Sequence, residues 1–414
     1  MIQPPQQRTS CACNRLVAAV LAITPAFACA PSGPPRPSSY ILAWAADADS
    51  AHQPFAVFID ADPASSRYGE PISSVPAGEP GADAHHTELV VGDDATVWAN
   101  SFSADATFLL DLTRPGGPTV LGRLAEAPGF THPHSFHRLP DGRLLVTYQL
   151  GAAHHTPGGL AEHDARGAYV RGTSAIDPAS VGFVRPYSLA VLSNLDRIVT
   201  TGADMHGEDV SRIVQIWRLS DLELLHTIEL PDGPRGGESA HSFEPRVLED
   251  GSTVLVVTLG CGLYRLHELE TNLPRATLVH DFGARRCFMP AVIGNWWIQA
   301  VASEHAIVVL DVSDPAHPRQ VHRFALPDGW RPHWLATDSA DRIVVTGYGE
   351  MAHRLLLLRI DRGSGILSGD REFGSEASNV TAVNFEREAW PHGATGAAIP
   401  HGAVFVDISP TSPH

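Results

Sequence analysis

The sequence contains no lysine, so all 29 of its basic residues are arginine. This absence excludes any chemistry that needs a Schiff-base lysine. Acidic residues number 46, which gives a formal net charge of −17. A chain this acidic is a poor partner for a nucleic-acid backbone or an anionic membrane surface. We therefore predict no nucleic-acid partner.

Long apolar runs are also missing. The apolar stretch from Leu16 to Phe27 is shorter than the roughly 20 residues that a membrane span needs, so no membrane span is predicted. Two arginines precede it and small residues follow, a pattern that predicts an export signal over residues 1–30. Cleavage before Cys29 would permit a lipid anchor there, so we expect either a periplasmic protein or a lipoprotein of the outer membrane. A Pro/Ser-rich linker over 31–39 and a C-terminal tail over 408–414 would flank the folded body.

Cysteine is scarce, with five residues in the whole chain. Three lie in or at the end of the predicted signal, which leaves Cys261 and Cys287 in the folded body. Two cysteines do not make a disulfide framework. They could form one bond in an oxidising compartment or stay as buried thiols, and we favour two buried thiols.

Glycine and proline are plentiful and evenly spread, which favours many short strands joined by turns. Similar segments recur, each with a short apolar run, a turn built on Asp, Asn or Gly, and a β-branched strand. A second apolar strand, and usually a third, follows each segment. The segments begin at His86, His134, Arg185, His241, Arg331 and His392, with a weaker member at Cys287.

Three or four strands per unit, with units roughly 45 to 60 residues apart, are typical of a β-propeller. We therefore predict an all-β fold, a seven-bladed β-propeller over 40–407. The last unit has too few strands, so we expect the N-terminal strands at 40–47 and 55–62 to complete it and close the ring. Closure leaves no long unpaired sheet edge. A β-sandwich followed by a second β-domain is the alternative.

Histidines stand at the openings of these units. His86, His134 and His333 each lie nine residues before the strand that follows the turn, and His241 lies eleven before it. His392 has the corresponding place in the last unit. Inner strands of a propeller line one channel, so these side chains are expected to converge at its mouth. Since imidazole is a common ligand of copper, zinc and iron, we predict a metal site there.

Two further residues are candidates for the same site. His137 lies three residues after His134, and alternation along a strand puts such a pair on opposite faces unless the chain bends. Glu244 has the place of His137 after a second His-Ser-Phe sequence. It could be a metal ligand, an outer orienter of an imidazole, a general base, or the partner of Arg246 in a surface ion pair. We name Glu244 as the candidate catalytic residue.

Five motifs occur in an order that resembles a known family. They are His85–His86, the His134–His137 element "HSFH", Glu244–Pro245–Arg246 with the later Leu259–Gly260–Cys261, "LDVSDP" from Leu310, and His392. In this order they resemble the selenium-binding protein family, which includes bacterial methanethiol oxidases. The resemblance extends from about His85 to His392.

The resemblance implies a seven-bladed propeller with a copper site of histidines, His85 among them. It also implies a small thiol and O2 as substrates, since methanethiol oxidases convert methanethiol and oxygen to formaldehyde, hydrogen sulfide and hydrogen peroxide. The family's cysteines soon after the histidine pair are absent, as is its Gly-Gly-Asp-Cys stretch after His392. Selenium binding is therefore not expected, and the substrate could differ.

Two other functions fit the sequence. One is a non-catalytic propeller that binds metal or another protein, since a fold alone does not determine function. The other is a lactonase-like hydrolase, which would need carboxylate and amide ligands for a cation such as calcium.

Overall fold

The computed structural model describes residues 38–407 apart from 115–116, 154–155, 180–183, 206–209, 350–351 and 378–379. The predicted export signal (1–30), most of the linker and the tail (408–414) lie outside these residues. No helix in the described ranges is long and apolar enough to cross a membrane.

The strands in the described ranges form seven sheets, each built mainly from antiparallel neighbours in the sequence. Blade 1 contains β29 (Ala398–Asp407), β1 (Ser39–Asp47), β2 (Phe55–Asp60) and β3 (Pro71–Pro76). Blade 2 contains β4 (Thr96–Ser101), β5 (Ala106–Asp111) and β6 (Thr119–Arg123). Blade 3 contains β7 (Phe130–Arg138), β8 (Leu144–Gly151), β9 (Pro157–His163) and β10 (Tyr169–Ser174). Blade 4 contains β11 (Pro186–Leu192), β12 (Arg197–Gly202), β13 (Ile213–Arg218) and β14 (Leu224–Glu229).

Blade 5 contains β15 (Ser242–Val247), β16 (Val254–Thr258), β17 (Gly262–His267) and β18 (Arg275–Asp281). Blade 6 contains β19 (Cys287–Ile293), β20 (Trp296–Val301), β21 (Ala306–Asp311) and β22 (Arg319–Ala325). Blade 7 contains β23 (Arg331–Thr337), β24 (Arg342–Tyr348), β25 (Arg354–Ile360), β26 (Leu367–Gly369), β27 (Ser375–Ala377) and β28 (Val380–Asn384). Single 3₁₀ turns follow β11 (Ser193–Leu195) and β20 (Ala302–Glu304).

Blade 1 joins the two ends of the chain. Strand β29 pairs with β1, so that Tyr40 lies opposite Val406 and Ala43 opposite Ala403. Strands β1 to β3 complete the sheet outside β29. The predicted seven-bladed propeller, closed by N-terminal strands in the last blade, is confirmed.

Burial within a blade follows the position of the strand. The second strands, such as β8, β16 and β20, are buried almost throughout, because neighbouring blades cover both of their faces. This explains why they are short, uninterrupted apolar runs in the sequence. The outermost strands, such as β6 and β22, are largely exposed. The innermost strands β7, β11, β15, β19, β23 and β29 contact one another in this order around the channel.

The cysteines depart from the sequence-based expectation. Cys261, just after β16, and Cys287, the first residue of β19, form a disulfide bond and are both fully buried. Our preference for two buried thiols is wrong. The pair is separated by 26 residues and comes together because blades 5 and 6 pack side by side. Sequence spacing alone does not show such proximity.

Candidate metal centre

The innermost strands share one irregularity. In each of six of them, the pairing with the second strand shifts register at the same level, which is the mark of a β-bulge. The residues at these shifts include His134, Tyr187, Phe243, Phe288, His333 and His401. A bulge re-aims a side chain, so one aromatic residue per strand can point toward the channel axis where plain alternation would not place it.

Blade 2 supplies the seventh position through an irregular inner segment. The His85 amide donates a hydrogen bond to the Asn100 carbonyl (3.0 Å), and the Asn100 amide donates to the His86 carbonyl (2.9 Å). The segment therefore pairs with β4 as an inner strand would. It delivers two adjacent imidazoles, whose rings stack with centroids 4.0 Å apart.

Seven aromatic side chains then form a closed ring across the channel, which we call the aromatic belt. In order, its members are His86, His134, Tyr187, Phe243, Phe288, His333 and His401. Successive ring centroids lie 4.5, 3.9, 4.3, 6.0, 4.5, 4.4 and 5.7 Å apart. The imidazoles occupy one half of the belt and the carbocyclic rings the other.

His85 joins the imidazole half, and the five histidines together form what we call the imidazole cluster: His85, His86, His134, His333 and His401. Ligand atoms of His85, His86 and His401 all lie within 4.8 Å of one another. The His85 ring centroid is 4.8 Å from that of His134, and the Nε2 atoms of His333 and His401 are 3.4 Å apart. Five ring systems in such contact can offer several nitrogen donors to one small cation.

Backbone carbonyls fix the orientation of two of these rings. The Nδ1 atom of His134 lies 2.8 Å from the Tyr187 carbonyl oxygen, and that of His401 lies 3.0 Å from the Ala84 oxygen. A carbonyl oxygen only accepts, so Nδ1 carries the proton and the lone pair is on Nε2. Metal-binding histidines commonly have such a second hydrogen bond.

Several nitrogens of the imidazole cluster are buried without a hydrogen-bond partner in the described structure. They are Nδ1 of His85, Nε2 of His86, Nε2 of His134 and Nδ1 of His333. Buried polar atoms without partners are uncommon in folded proteins because each costs about 1–3 kcal/mol. Ligand atoms of His85, His86 and His401 lie close enough together to hold one metal ion, so the residues present fit a metal.

Burial keeps these imidazoles neutral. It lowers the pKa of His134 to about 3 and holds the pKa values of His85, His86 and His333 well below the usual range, with repulsion between neighbouring histidines adding to the effect. The pKa of His401 is also lowered by burial, although the Ala84 carbonyl opposes the shift. Neutral imidazole is the form that binds metals.

Asn100 holds two histidine-bearing segments together. Its side-chain oxygen accepts a hydrogen bond from the His86 amide (2.7 Å), and its side-chain nitrogen donates to the Pro133 carbonyl (2.7 Å). The residue is fully buried. Thr147 makes the analogous link between blades 3 and 4, since its hydroxyl accepts from the Ser135 amide and donates to the Tyr187 carbonyl.

A cavity of about 650 Å³, which we call the chamber, lies against the aromatic belt. Its lining includes His86, His137, Glu244 and Arg246. Oε2 of Glu244 accepts from the Ser188 hydroxyl (2.8 Å) and from Nη1 of Arg246 (2.7 Å), whereas Oε1 has no partner in the described structure. Burial raises the pKa of Glu244, and the Arg246 guanidinium opposes that shift. The expected ion pair exists, but it is buried rather than on the surface.

The structure brings only part of the predicted ligand set together. His85, His86, His134 and His333 lie in the imidazole cluster. His137 lines the chamber instead, and burial lowers its pKa to about 4.

Two other predicted ligands lie elsewhere. His241 lies just before β15, where burial lowers its pKa and the Asp204 carboxylate opposes that shift. His392 packs at the outer strand β3, where its Nδ1 is 2.6 Å from the Ser74 hydroxyl.

The fifth imidazole, His401, was not among the predicted ligands. The sequence carries a usable signal, since Pro133–His134, Pro332–His333 and Pro400–His401 are all Pro-His pairs at the bulge of an inner strand. The tripeptide Pro-His-Gly occurs twice, once with His392 and once with His401. Only the second pair lies in a strand, β29, because the apolar run "AVFV" follows it directly.

No family model matches the chain. Methanethiol oxidase from Hyphomicrobium sp. is 31% identical to it over 117 residues, which is 28% of this chain and 26% of that protein. A hypothetical selenium-binding protein from Sulfolobus tokodaii has the same fold, with a TM-score of 0.71, 13% identity and coverage of 92% of this chain and 96% of its own. The chain is similar to the selenium-binding protein and methanethiol oxidase family.

That similarity confirms the resemblance noted from the motifs. The aligned stretch spans about a quarter of the Hyphomicrobium protein, so the similarity in sequence is partial. The fold is shared more widely. The periplasmic gluconolactonase of Pseudomonas aeruginosa matches with a TM-score of 0.63 and 13% identity, covering 90% of this chain and all of that one. A propeller of this shape therefore does not by itself distinguish an oxidase from a lactonase.

Proposed function

We propose that the protein is an exported copper-dependent oxidase of small thiols, similar in reaction to methanethiol oxidase. The observation that carries the proposal is the imidazole cluster: five neutral, closely packed histidines inside the propeller channel, four of which have a nitrogen without a partner in the described structure. Partial similarity to the Hyphomicrobium methanethiol oxidase supports the same reaction class.

The donor set favours copper over hard cations. Magnesium and calcium prefer oxygen ligands, whereas imidazole suits copper, zinc and iron, and copper stands highest in the affinity order of divalent metals. Ligand atoms of His85, His86 and His401 would hold the ion, and the His134 ring lies beside them, with its centroid 4.8 Å from that of His85 and 4.5 Å from that of His86. Copper, when bound, supplies a redox centre that can interact with both sulfur and oxygen.

The reaction balances as methanethiol, O2 and water giving formaldehyde, hydrogen sulfide and hydrogen peroxide. The thiol carbon is oxidised by two electrons, and O2 is reduced to peroxide by the same two. The chain's own residues provide two routes to the cluster. His86 lines the chamber on one side, and His401 is partly exposed while the other four imidazoles are buried. We assign the thiol to the chamber.

Glu244 would accept the proton that the thiol or carbon releases. Glu244 lines the chamber, its Oε1 has no hydrogen-bond partner in the described structure, and Ser188 and Arg246 hold the other oxygen in place. Burial raises the pKa of this carboxyl group, which makes it a better proton acceptor than an exposed glutamate. A general base needs this combination of fixed geometry and raised basicity.

Export belongs to the proposal and rests on residues 1–30, with Cys29 as the possible lipid attachment point. A thiol that diffuses in from outside the cell would reach the enzyme there.

The test is metal content followed by turnover. Purified protein is loaded with copper, its metal is measured by mass spectrometry, and methanethiol is supplied while peroxide and formaldehyde are followed. We expect about one copper per chain and equal amounts of both products. The His401→Ala variant should lose metal and turnover, whereas the control His392→Ala should keep both.

Other outcomes would contradict the proposal in different ways. Bound copper without turnover of any small thiol would indicate a metal-binding module without catalysis. Protein that rejects copper and binds calcium would favour a lactonase-like hydrolase.

A further inference from the structure

The chamber is much larger than methanethiol. Its volume is about 650 Å³. A water molecule's share of liquid volume is about 30 Å³, so the chamber could hold on the order of twenty groups of that size. Methanethiol has two non-hydrogen atoms. Most of the space is therefore left for a tail on the molecule that carries the sulfur.

Apolar side chains form much of the chamber wall. They come from the inner strands of several blades and from the segment that follows His86, and they include Leu89, Leu139, Leu189, Val191, Val247 and Met289. Leu89, Val191 and Val247 are half-buried, so part of their apolar surface is still in contact with water. Covering such surface with an apolar ligand is favourable. Sites for small molecules are commonly lined in this way, with few polar groups.

The buried charges of the wall are already paired with one another. Arg138 donates to both oxygens of Glu88, at 2.8 and 3.2 Å, and Arg246 donates to Oε2 of Glu244 at 2.7 Å. A charged group on the ligand would lose its water here without gaining a new partner, which is costly. A neutral hydrocarbon tail needs no such partner. The wall therefore favours an uncharged tail.

The chamber has an inner and an outer end. His86, Met289 and Trp334 mark the inner end, because His86 belongs to the aromatic belt and the other two directly follow belt residues in the sequence. The Trp334 ring lies 5.0 Å from that of His86. Val90 marks the outer end, since it is 73% exposed. A thiol with its sulfur at the inner end would extend its tail outward along the apolar wall.

We propose that the chamber binds an apolar thiol whose uncharged hydrocarbon tail has several carbons more than the methyl group of methanethiol. The sulfur lies at the inner end, and the tail packs against the apolar wall, to which Val191 belongs. The position of the sulfur rests on the proposed function. Recognition of the tail does not.

Calorimetry on the metal-free full-length protein, without oxygen, tests recognition of the tail. Propanethiol, butanethiol and pentanethiol differ by one methylene group at each step. We expect the affinity to rise about fourfold with each added methylene group, as burial of that group predicts. Cysteamine has as many non-hydrogen atoms as propanethiol but ends in an ammonium group, and it should bind at least about tenfold more weakly.

Val191→Asn and Val279→Asn form a matched pair of variants. Both valines are half-buried in a strand, but Val191 lines the chamber, whereas Val279 lies on β18, the outermost strand of blade 5, and does not line it. In Val191→Asn the gain per methylene group should fall to about twofold or less, because part of the wall becomes polar. Val279→Asn should keep the gain of the wild-type protein.

Three results would overturn the inference. Equal affinity for the three alkyl thiols would show that the wild-type chamber does not bind the tail. Cysteamine that binds as tightly as propanethiol would show that the wall accepts a charge. A gain per methylene group that is the same in Val191→Asn and Val279→Asn would show that the tail binds elsewhere.

The same measurements separate this inference from the oxidase proposal. A protein that binds copper and oxidises methanethiol but shows no gain with tail length loses only the inference about the tail. A protein that shows the gain but binds no copper loses the oxidase function and keeps the apolar site.

Discussion

His401 and His392 provide a matched pair for testing the metal centre. Both follow a proline and precede a glycine, and they lie nine residues apart. The structure places His401 in the imidazole cluster and His392 against β3. Replacing each with alanine therefore removes the same side chain from the same local sequence. Only the His401→Ala variant should affect metal binding.

The expected magnitudes follow from the contacts. Altering even an outer partner of a metal ligand costs about 10–100-fold in affinity, so loss of the His401 imidazole should cost at least about 100-fold. In the metal-free protein each variant loses two side-chain hydrogen-bond contacts: those of His401 with the Ala84 carbonyl and His333, or those of His392 with the Ser74 and Thr395 hydroxyls. Each contact should cost about 1 kcal/mol, so the two variants should differ little in Tm.

Competition with a copper chelator of known affinity measures the first quantity, and thermal unfolding of metal-free protein measures the second. The reasoning is refuted if the two variants bind copper equally well, or if His392→Ala shows the larger loss. Similar Tm values for the two metal-free variants would ensure that a difference in affinity is not a difference in folding.

Three further predictions follow from single features. The Asn100→Ala variant should bind copper about 10–100-fold more weakly, because Asn100 fixes the spacing of the segments that carry His86 and His134. A chelator titration that finds no change in affinity would contradict this. The pKa of His134 is about 3 in the folded protein and 6.5 in the unfolded chain. The contribution of His134 to the free energy of unfolding is therefore fully present above pH 6.5 and is lost as the pH falls toward 3, by up to about 1.4 kcal/mol per pH unit. Urea unfolding of the metal-free protein measures this loss. Replacing Cys261 and Cys287 together with serine should destabilise the protein by about 3.5 kcal/mol in the chain-entropy account, since the bond closes a 26-residue loop; unchanged urea midpoints would contradict that.

The fold was predictable from the sequence because its causes are local. Buried second strands must be apolar on both faces, and each is followed by a turn residue, so units such as "LLVTYQLG" from Leu144 are visible as repeats. Ring closure followed from counting strands in the last unit. None of this requires knowing which residues touch across the channel.

The candidate site was only partly predictable, because bulges break the alternation on which the prediction relied. The shift between Pro133 and Phe136 re-aims His134 toward the axis while His137 stays in the chamber wall. A bulge next to Pro400 likewise directs His401 into the imidazole cluster, and the alternation of the sequence does not reveal that orientation. The Pro-His pair is the local signal in the sequence. It distinguishes His401 from His392 only when the apolar strand that follows His401 is also considered.

The disulfide shows the same limit. Cys261 and Cys287 meet because blades 5 and 6 pack together, a tertiary fact that composition cannot supply.

The most direct test of the account is an anomalous difference map at the copper absorption edge, from crystals of copper-loaded protein. The account predicts one strong peak among the ring nitrogens of His85, His86 and His401, on the side facing His134. A peak at the group of Asp47, Asp49 and His52, which could also hold a cation, or no peak within the imidazole cluster, would contradict it.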